Sequence, residues 1–299
     1  MNKAILLGLL SSLFFAATFV LNRSMSLSGD DAWWSAALRF VFMLPLLYLL
    51  LGAQKNKSAV YREIQRAPRQ WLLWSTVGFG LFYLPLTISA DYASSWLVAS
   101  SWQITIIAGI LLTPLFGQKI PLKNLFFSCV IVLGIALLQI DNLRNLSLYA
   151  SLYPLLLILI AAFAYPLGNR KMMVLVGGKL STQQRVYGML LCSMPFWLLT
   201  MLIATLNSGL PSVSQLSQSF MVALFSGVIA TLLFFKATEL VKHNMKQLAV
   251  IEATQAGEIL FTLLGGILLL SDPMPSGLAF FGLLIVIIGI FINGFSTKG

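Results

Sequence analysis

Two glutamates, Glu252 and Glu258, stand inside an otherwise apolar run at residues 246–270, KQLAVIEATQAGEILFTLLGGILLL. A helix rises about 1.5 Å per residue, so Glu258 lies roughly 18 Å beyond Lys246 and Glu252 about halfway to it. If this run crosses a bilayer, Glu258 sits near the middle of the hydrocarbon. An ionised carboxylate there costs on the order of several kcal/mol unless it is paired, hydrated or protonated. The chemistry open to such a group is exchange, in which a proton is given up for a substrate cation. At about 100° per residue, Glu252, Gln255, Glu258 and Thr262 share one arc of the helix, whereas Ala249, Ala253 and Gly257 recur on the other side. The small face fits close packing against a neighbouring helix. The polar face suits a cavity.

Arg39 is the second unusual charge, seven residues into an apolar run at 32–52. Its guanidinium cannot lose its proton and needs an acid or water. It can clamp a glutamate or bind substrate. Pairing with a glutamate leaves a nearly neutral cavity suited to zwitterions or uncharged solutes, and unpaired acids favour cations. Glu258 has structural alternatives in Arg39 and Lys236, and Glu252 in Lys236 or inner-side water. In the run at 95–116, Trp96, Ser100 and Gln103 share one face by their i, i+4, i+7 spacing. An aromatic ring beside an amide can wall a substrate cavity, although Trp96 also suits an interfacial anchor. Tyr83, Thr87 and Tyr165 are further candidates.

Other residues carry less. Cys129 and Cys192 stand alone in apolar segments and read as filler. His243 reads as a solvated loop residue, and Asn22 and Asn169 as helix caps or ties between repeats. Gly78-Phe79-Gly80 lacks the context of a phosphate loop. No metal-ligand spacing and no serine, histidine and acid constellation is present, so neither a metal nor a cofactor is implied.

The elements that must position these residues follow from composition. Of 299 residues, 59% are hydrophobic and 9% charged, against roughly 25% charged in a soluble domain. This is the composition of an integral membrane protein, and it leaves no soluble catalytic domain. The net charge of +10 does not signal nucleic acid, because the basic residues alternate between loops as membrane topology requires.

Ten apolar runs can be drawn, at 4–22, 32–52, 71–90, 95–116, 122–140, 148–168, 184–206, 218–240, 246–270 and 276–295. With the N-terminus inside, most Lys and Arg, Arg185 among them, fall on the inner side or at its helix ends. Outside fall Arg23 and Arg144 with Asp30, Asp31, Asp91, Asp141 and Asp272. That asymmetry predicts ten spans with both termini cytoplasmic.

A weak internal repeat divides the chain into 1–143 and 144–299. Asn22-Arg23 matches Asn169-Arg170, Pro45 matches Pro195, Gln103 matches Gln255, and Gly134 in VLGI matches Gly289 in IIGI. Five spans per half make the second copy inverted, an architecture for alternating access with the site at the interface of the halves. In this alignment Glu258 falls opposite Ile106 and Arg39 opposite Met189. Neither charge has a charged twin, which favours a functional over a scaffolding role.

On these features the chain resembles the drug/metabolite transporter superfamily, in particular ten-helix members with two EamA-type halves. The features are the five-plus-five layout, the Asn-Arg ends of both first helices, the Arg39-Phe40 pair, and the VLGI and IIGI runs. It is most similar to the multidrug resistance efflux transporter branch. One departure is that Gln118 and Asp272 stand where many relatives carry a glutamate. The resemblance implies an exporter of drug-like or metabolite molecules in the plasma membrane of a bacterium, with a central cavity and no cofactor. A facilitative carrier or exchanger of amino acids or nucleotide-linked sugars is the alternative. An accessory membrane subunit is a more distant one. The expected partners are a small-molecule substrate, the bilayer and protons, and not nucleic acid.

Overall fold

In a computed structural model, residues 2–296 are described apart from 53, 146–147, 242–246, 248–249 and 252. The described residues form helices and turns with no strand. The first half contains α1 (Asn2–Leu27), α2 (Ala32–Leu50), α3 (Gln54–Arg66), α4 (Pro68–Ser75) and α5 (Leu81–Ser89). It continues with α6 (Ser95–Trp102), α7 (Ile104–Leu111) and α8 (Leu122–Asn145). The second half contains α9 (Leu148–Val176), α10 (Thr182–Ser208), α11 (Val213–Val222), α12 (Thr231–Val241), α13 (Gly257–Leu270) and α14 (Gly277–Ser296). Seven described helices are long and apolar enough to cross a membrane, counting 68–89 and 213–241 as continuous, and three more apolar helices are shorter. The shorter ones are Ser95–Leu111, Thr254–Leu270 and Gly277–Ile292. The first helix shows why length suffices: 26 residues at about 1.5 Å each exceed the roughly 30 Å hydrocarbon thickness.

Several helices carry irregularities in matching places. A π-helical turn at Thr76–Gly80 joins α4 to α5, and another at Ala223–Ala230 joins α11 to α12. Such turns widen the helix and are frequent at functional sites. Gln103 interrupts α6 and α7, where Gln103 N–H bonds to Ser100 O and Ile106 N–H to Gln103 O. A 3-10 turn at Thr254–Ala256 precedes α13 and contains Gln255. Pro45 lies within α2 and Pro195 within α10. The straight polar face drawn through Glu252, Gln255, Glu258 and Thr262 is therefore interrupted at Gln255 by this tighter turn.

Packing explains the repeated glycines. The final helices of the halves, α8 and α14, lie against each other. A Cβ on Gly134 would come within 2.8 Å of Gly282 O and Val286 N, and one on Gly289 within 2.7 Å of Ile131. Backbones approach this closely only with small residues at the crossing. The small side of the Glu258 segment is used likewise. Gly257 faces Ser12 of α1, where an added Cβ would meet Oγ at 2.7 Å, and Gly8 faces Thr254.

Candidate functional site

Arg39 lies in the interior of the bundle, 8% exposed. Its two terminal nitrogens donate to Thr18 Oγ1 of α1 (3.2 Å) and Ser226 Oγ (3.1 Å) in the π-helical turn at 223–230. Thr18 in turn donates to Ser226 at 2.5 Å. The guanidinium carbon stands 4.1 Å from the Tyr83 ring centre, a cation-π contact. Arg39 Nε is buried without a hydrogen-bond partner. Two hydroxyls and a ring thus hold the charge in place of a carboxylate. Its neighbour Phe40 stacks on Trp197 at 4.5 Å and also contacts Phe79 and Tyr83, so the Arg39-Phe40 pair fixes α2 against α5 and α10. Tyr83 is fully buried, and Asn22 of α1 donates to its hydroxyl at 3.0 Å.

Glu258, in the first turn of α13, lies near the Gln103 side chain and within electrostatic range of Arg39. Gln103 donates to Ala99 O at 3.3 Å. The helix that carries Glu258, α13, packs against α6, which ends at Gln103. One turn back from Glu258, Gln255 Nε2 is buried without a partner, as is Thr262 Oγ1 one turn on. Glu252 and His243 lie outside the described residues.

Tyr165 lies about half a turn around α9 from the exposed stripe of Leu152, Leu156, Ile160 and Phe163, yet remains 41% exposed. Its ring packs against Phe82 (4.8 Å) and Trp102 (5.7 Å), and it is within electrostatic range of Arg39, Glu258 and Arg185. Arg185, in the first turn of α10, reads from sequence as one of the inner-side charges, and its Nε is buried without a hydrogen-bond partner.

Trp96 and Ser100 are placed elsewhere. Trp96 Nε1 donates to Pro273 O at 3.1 Å, and Ser100, with no exposed surface, donates to Trp96 O at 2.6 Å. They belong to a tie at the acidic end of the bundle. There Asp272 accepts from Ser95 N (2.8 Å) and Ser95 Oγ (2.6 Å) and pairs with Arg23 at 3.5 Å. Its side chain is 1% exposed. Arg23 also donates to Ala90 O at 2.8 Å. On the other flank, Asp31 caps α2 through Trp33 N and Trp34 N and accepts from Ser208, while Asp30 accepts from Ser212. Trp34 Nε1 donates to Gly209 O at 2.9 Å. By sequence Asp272 reads only as a departure from the usual glutamate, whereas the structure makes it the centre of this tie. Lys236 pairs with Glu239 at 3.2 Å on the surface, not with Glu258.

Comparison with known proteins places this geometry. A crystal structure aligns over 98% of this chain and 96% of its own at a TM-score of 0.63 with 14% identity, a likeness of fold. The Bacillus subtilis (strain 168) protein "Uncharacterized protein YjlA" is 48% identical over 309 residues, covering 99% of this chain and 95% of the relative. The Shouchella clausii "Uncharacterized 42.1 kDa protein in intracellular alkaline protease 3'region" is 43% identical over 268 residues, covering 86% and 70%. Residues 2–299 match the family EmrE, described as "Putative multidrug resistance efflux transporter". With that coverage, the chain belongs to the EmrE family of multi-span membrane transporters.

Proposed function

We propose that this protein exports small organic molecules across the bacterial plasma membrane by alternating access between two inverted five-helix repeats. Ten spans with both termini cytoplasmic make up the working topology, the three shorter apolar helices completing the seven long ones. The paired irregularities support the repeat: π-helical turns at 76–80 and 223–230, helix breaks at Gln103 and at 254–256, and prolines at 45 and 195.

The observation that carries the reading is an acid, Glu258, just after the helix break at 254–256, on a helix that packs against α6 where it breaks at Gln103, and within electrostatic range of the buried Arg39. The two helix interruptions come one from each half, where alternating-access transporters place substrate. Glu258 is the exchangeable acid, holding a proton until the positive group of a substrate replaces it. Gln103 orients its carboxylate and accompanies it through the cycle. Arg39, held by Thr18, Ser226 and Tyr83, supplies a fixed positive potential opposite the acid. The Asp272 and Asp31 ties close the acidic, outer end, so this conformation faces the cytoplasm.

Proton coupling is tested in sealed proteoliposomes by following substrate-driven proton movement in wild type and Glu258→Gln. Coupled movement is expected in wild type and not in the variant. Undiminished coupling in the variant would sink the assignment of Glu258.

A further inference from the structure

The short helix α3 is fixed to the bundle along one side. Val60 has no exposed surface, and a Cβ added to Gly188 of α10 would meet Val60 at 2.9 Å and Trp71 of α4 at 2.6 Å. The Tyr61 and Tyr187 hydroxyls are hydrogen-bonded at 3.1 Å, and Lys57 holds its Nζ 3.3 Å from the Tyr48 ring centre. At about 100° per residue, Ala59, Arg62, Glu63 and Arg66 take the opposite side of this helix. The turn between α9 and α10 brings a further cation to that side. Gly177 (φ 56°) and Gly178 (φ 78°) reverse the chain in the left-handed conformation, and Ser181 caps α10 in a reciprocal pair with Gln184. Between these two fixtures Lys179 reaches Glu63 at 3.6 Å, and Arg66 donates to the same carboxylate at 2.9 Å. Ala59, Arg62, Glu63, Arg66, Lys179 and Leu180 line a cavity of about 320 Å³. Three cations there share one acid. Among the described residues Arg62 forms no ion pair. The partners of Glu63 are side chains 63% and 50% exposed, and pairs so open to water hold weakly.

We propose that this cavity binds the phosphate of an anionic phospholipid, gripped by the guanidinium forks of Arg62 and Arg66 and by the point charge of Lys179. Guanidinium donors match phosphate oxygens in pairs, and a lysine adds charge without fixing direction. The site lies where helices begin and end: α4 starts at Pro68 and α9 stops at Val176. Leu72 and Leu73 near the start of α4, and Met173 and Val174 near the end of α9, are exposed and offer apolar surface to acyl chains. A soluble phosphate would use the charge and leave that surface unused. A zwitterionic lipid would use the surface and set its own cation among the surplus cations. An anionic phospholipid answers both. Basic pockets at the cytoplasmic ends of spans suit such headgroups, and α3 lies on that side under the proposed topology. The site shares no residue with the set around Arg39 and Glu258, and the inference goes beyond the transport reading.

The test uses delipidated full-length protein in detergent micelles, loaded with phosphatidylglycerol that carries a fluorophore on one acyl chain. The competitors are unlabelled phosphatidylglycerol, phosphatidylcholine with the same chains, and glycerol 3-phosphate. Phosphatidylglycerol is expected to displace the label at least about fivefold more effectively than either of the others. Arg62→Gln and Lys179→Gln should each weaken phosphatidylglycerol by about fivefold, the factor expected for one basic residue at a membrane surface. Lys236→Gln removes an exposed cation elsewhere and should leave it unchanged. Glu63→Gln frees Arg66 and Lys179 and should tighten phosphatidylglycerol binding, a gain that damaged folding does not produce. Phosphatidylcholine competing as well as phosphatidylglycerol overturns the proposal. Glycerol 3-phosphate competing as well as the lipid assigns the cavity to soluble phosphates and overturns it too. An equal loss in Lys236→Gln would mean diffuse attraction without a site, and weaker binding by Glu63→Gln would contradict the charge argument. Either result refutes the inference.

Discussion

Under the proposed topology, replacing Asp272 by alanine should release the acidic, outer end of the bundle. The Asp272 carboxylate accepts from both the backbone and the side chain of Ser95 and pairs with Arg23 while 1% exposed. Removing it leaves the Ser95 amide and part of the Arg23 guanidinium without acceptors. Breaking a buried pair from one side costs about 3–5 kcal/mol. If the tie exists only while the outer end is closed, that cost falls on the closed conformation alone. At roughly 1.4 kcal/mol per tenfold, even 3 kcal/mol moves the equilibrium toward the outward-open form by about two orders of magnitude. Accessibility of a cysteine at Thr262, in a background with Cys129 and Cys192 replaced by serine, reads this out. Thr262 has no exposed surface and lies one turn inward from Gly266, against which the Asp272 carboxylate packs. A membrane-impermeant maleimide added outside should label Thr262→Cys slowly, and at least tenfold faster when Asp272→Ala is added. A fall in melting temperature with labelling unchanged would refute the reasoning, because the tie would then be structural in every state.

Three further outcomes follow from the packing. Arg39→Lys cannot bridge Thr18 and Ser226 together, and should cost about 1–3 kcal/mol, seen as a lower melting temperature in detergent. Gly134→Ala drives a Cβ to 2.8 Å from the Gly282 carbonyl and the Val286 amide and should destabilise by about 1–3 kcal/mol. Gly277→Ala, with nothing within 4 Å, should have no comparable effect in the same assay. Trp96→Phe loses the bond to Pro273 O and should cost about 1 kcal/mol of stability while substrate affinity is retained, which a binding isotherm would check.

Much of the fold was legible because membrane burial leaves coarse marks. Long apolar runs and the basic inner loops describe the helices, and the glycines of VLGI and IIGI mark a close crossing that the structure places between α8 and α14. Gln103 and Gln255 could be paired by position. What could not be read was that each lies at a helix interruption, since neither break contains proline and i→i−3 tightening has no composition of its own. Asp272 was hidden because its partners Ser95 and Arg23 lie 177 and 249 residues away in the chain. Spacing likewise placed Trp96, Ser100 and Gln103 on one face, but it is blind to the lengthwise change from outer tie to helix break that separates the first two from the third.

The most direct measurement is proton movement into or out of sealed proteoliposomes driven by gradients of a zwitterion, L-phenylalanine, and of a cation, tetraphenylphosphonium, compared between wild type and Glu258→Gln. The account expects proton movement with at least one solute in wild type and none with either in Glu258→Gln, although solute binding persists. Equal proton movement in the variant would contradict the central claim that Glu258, just after the helix break at 254–256, is the exchanging acid.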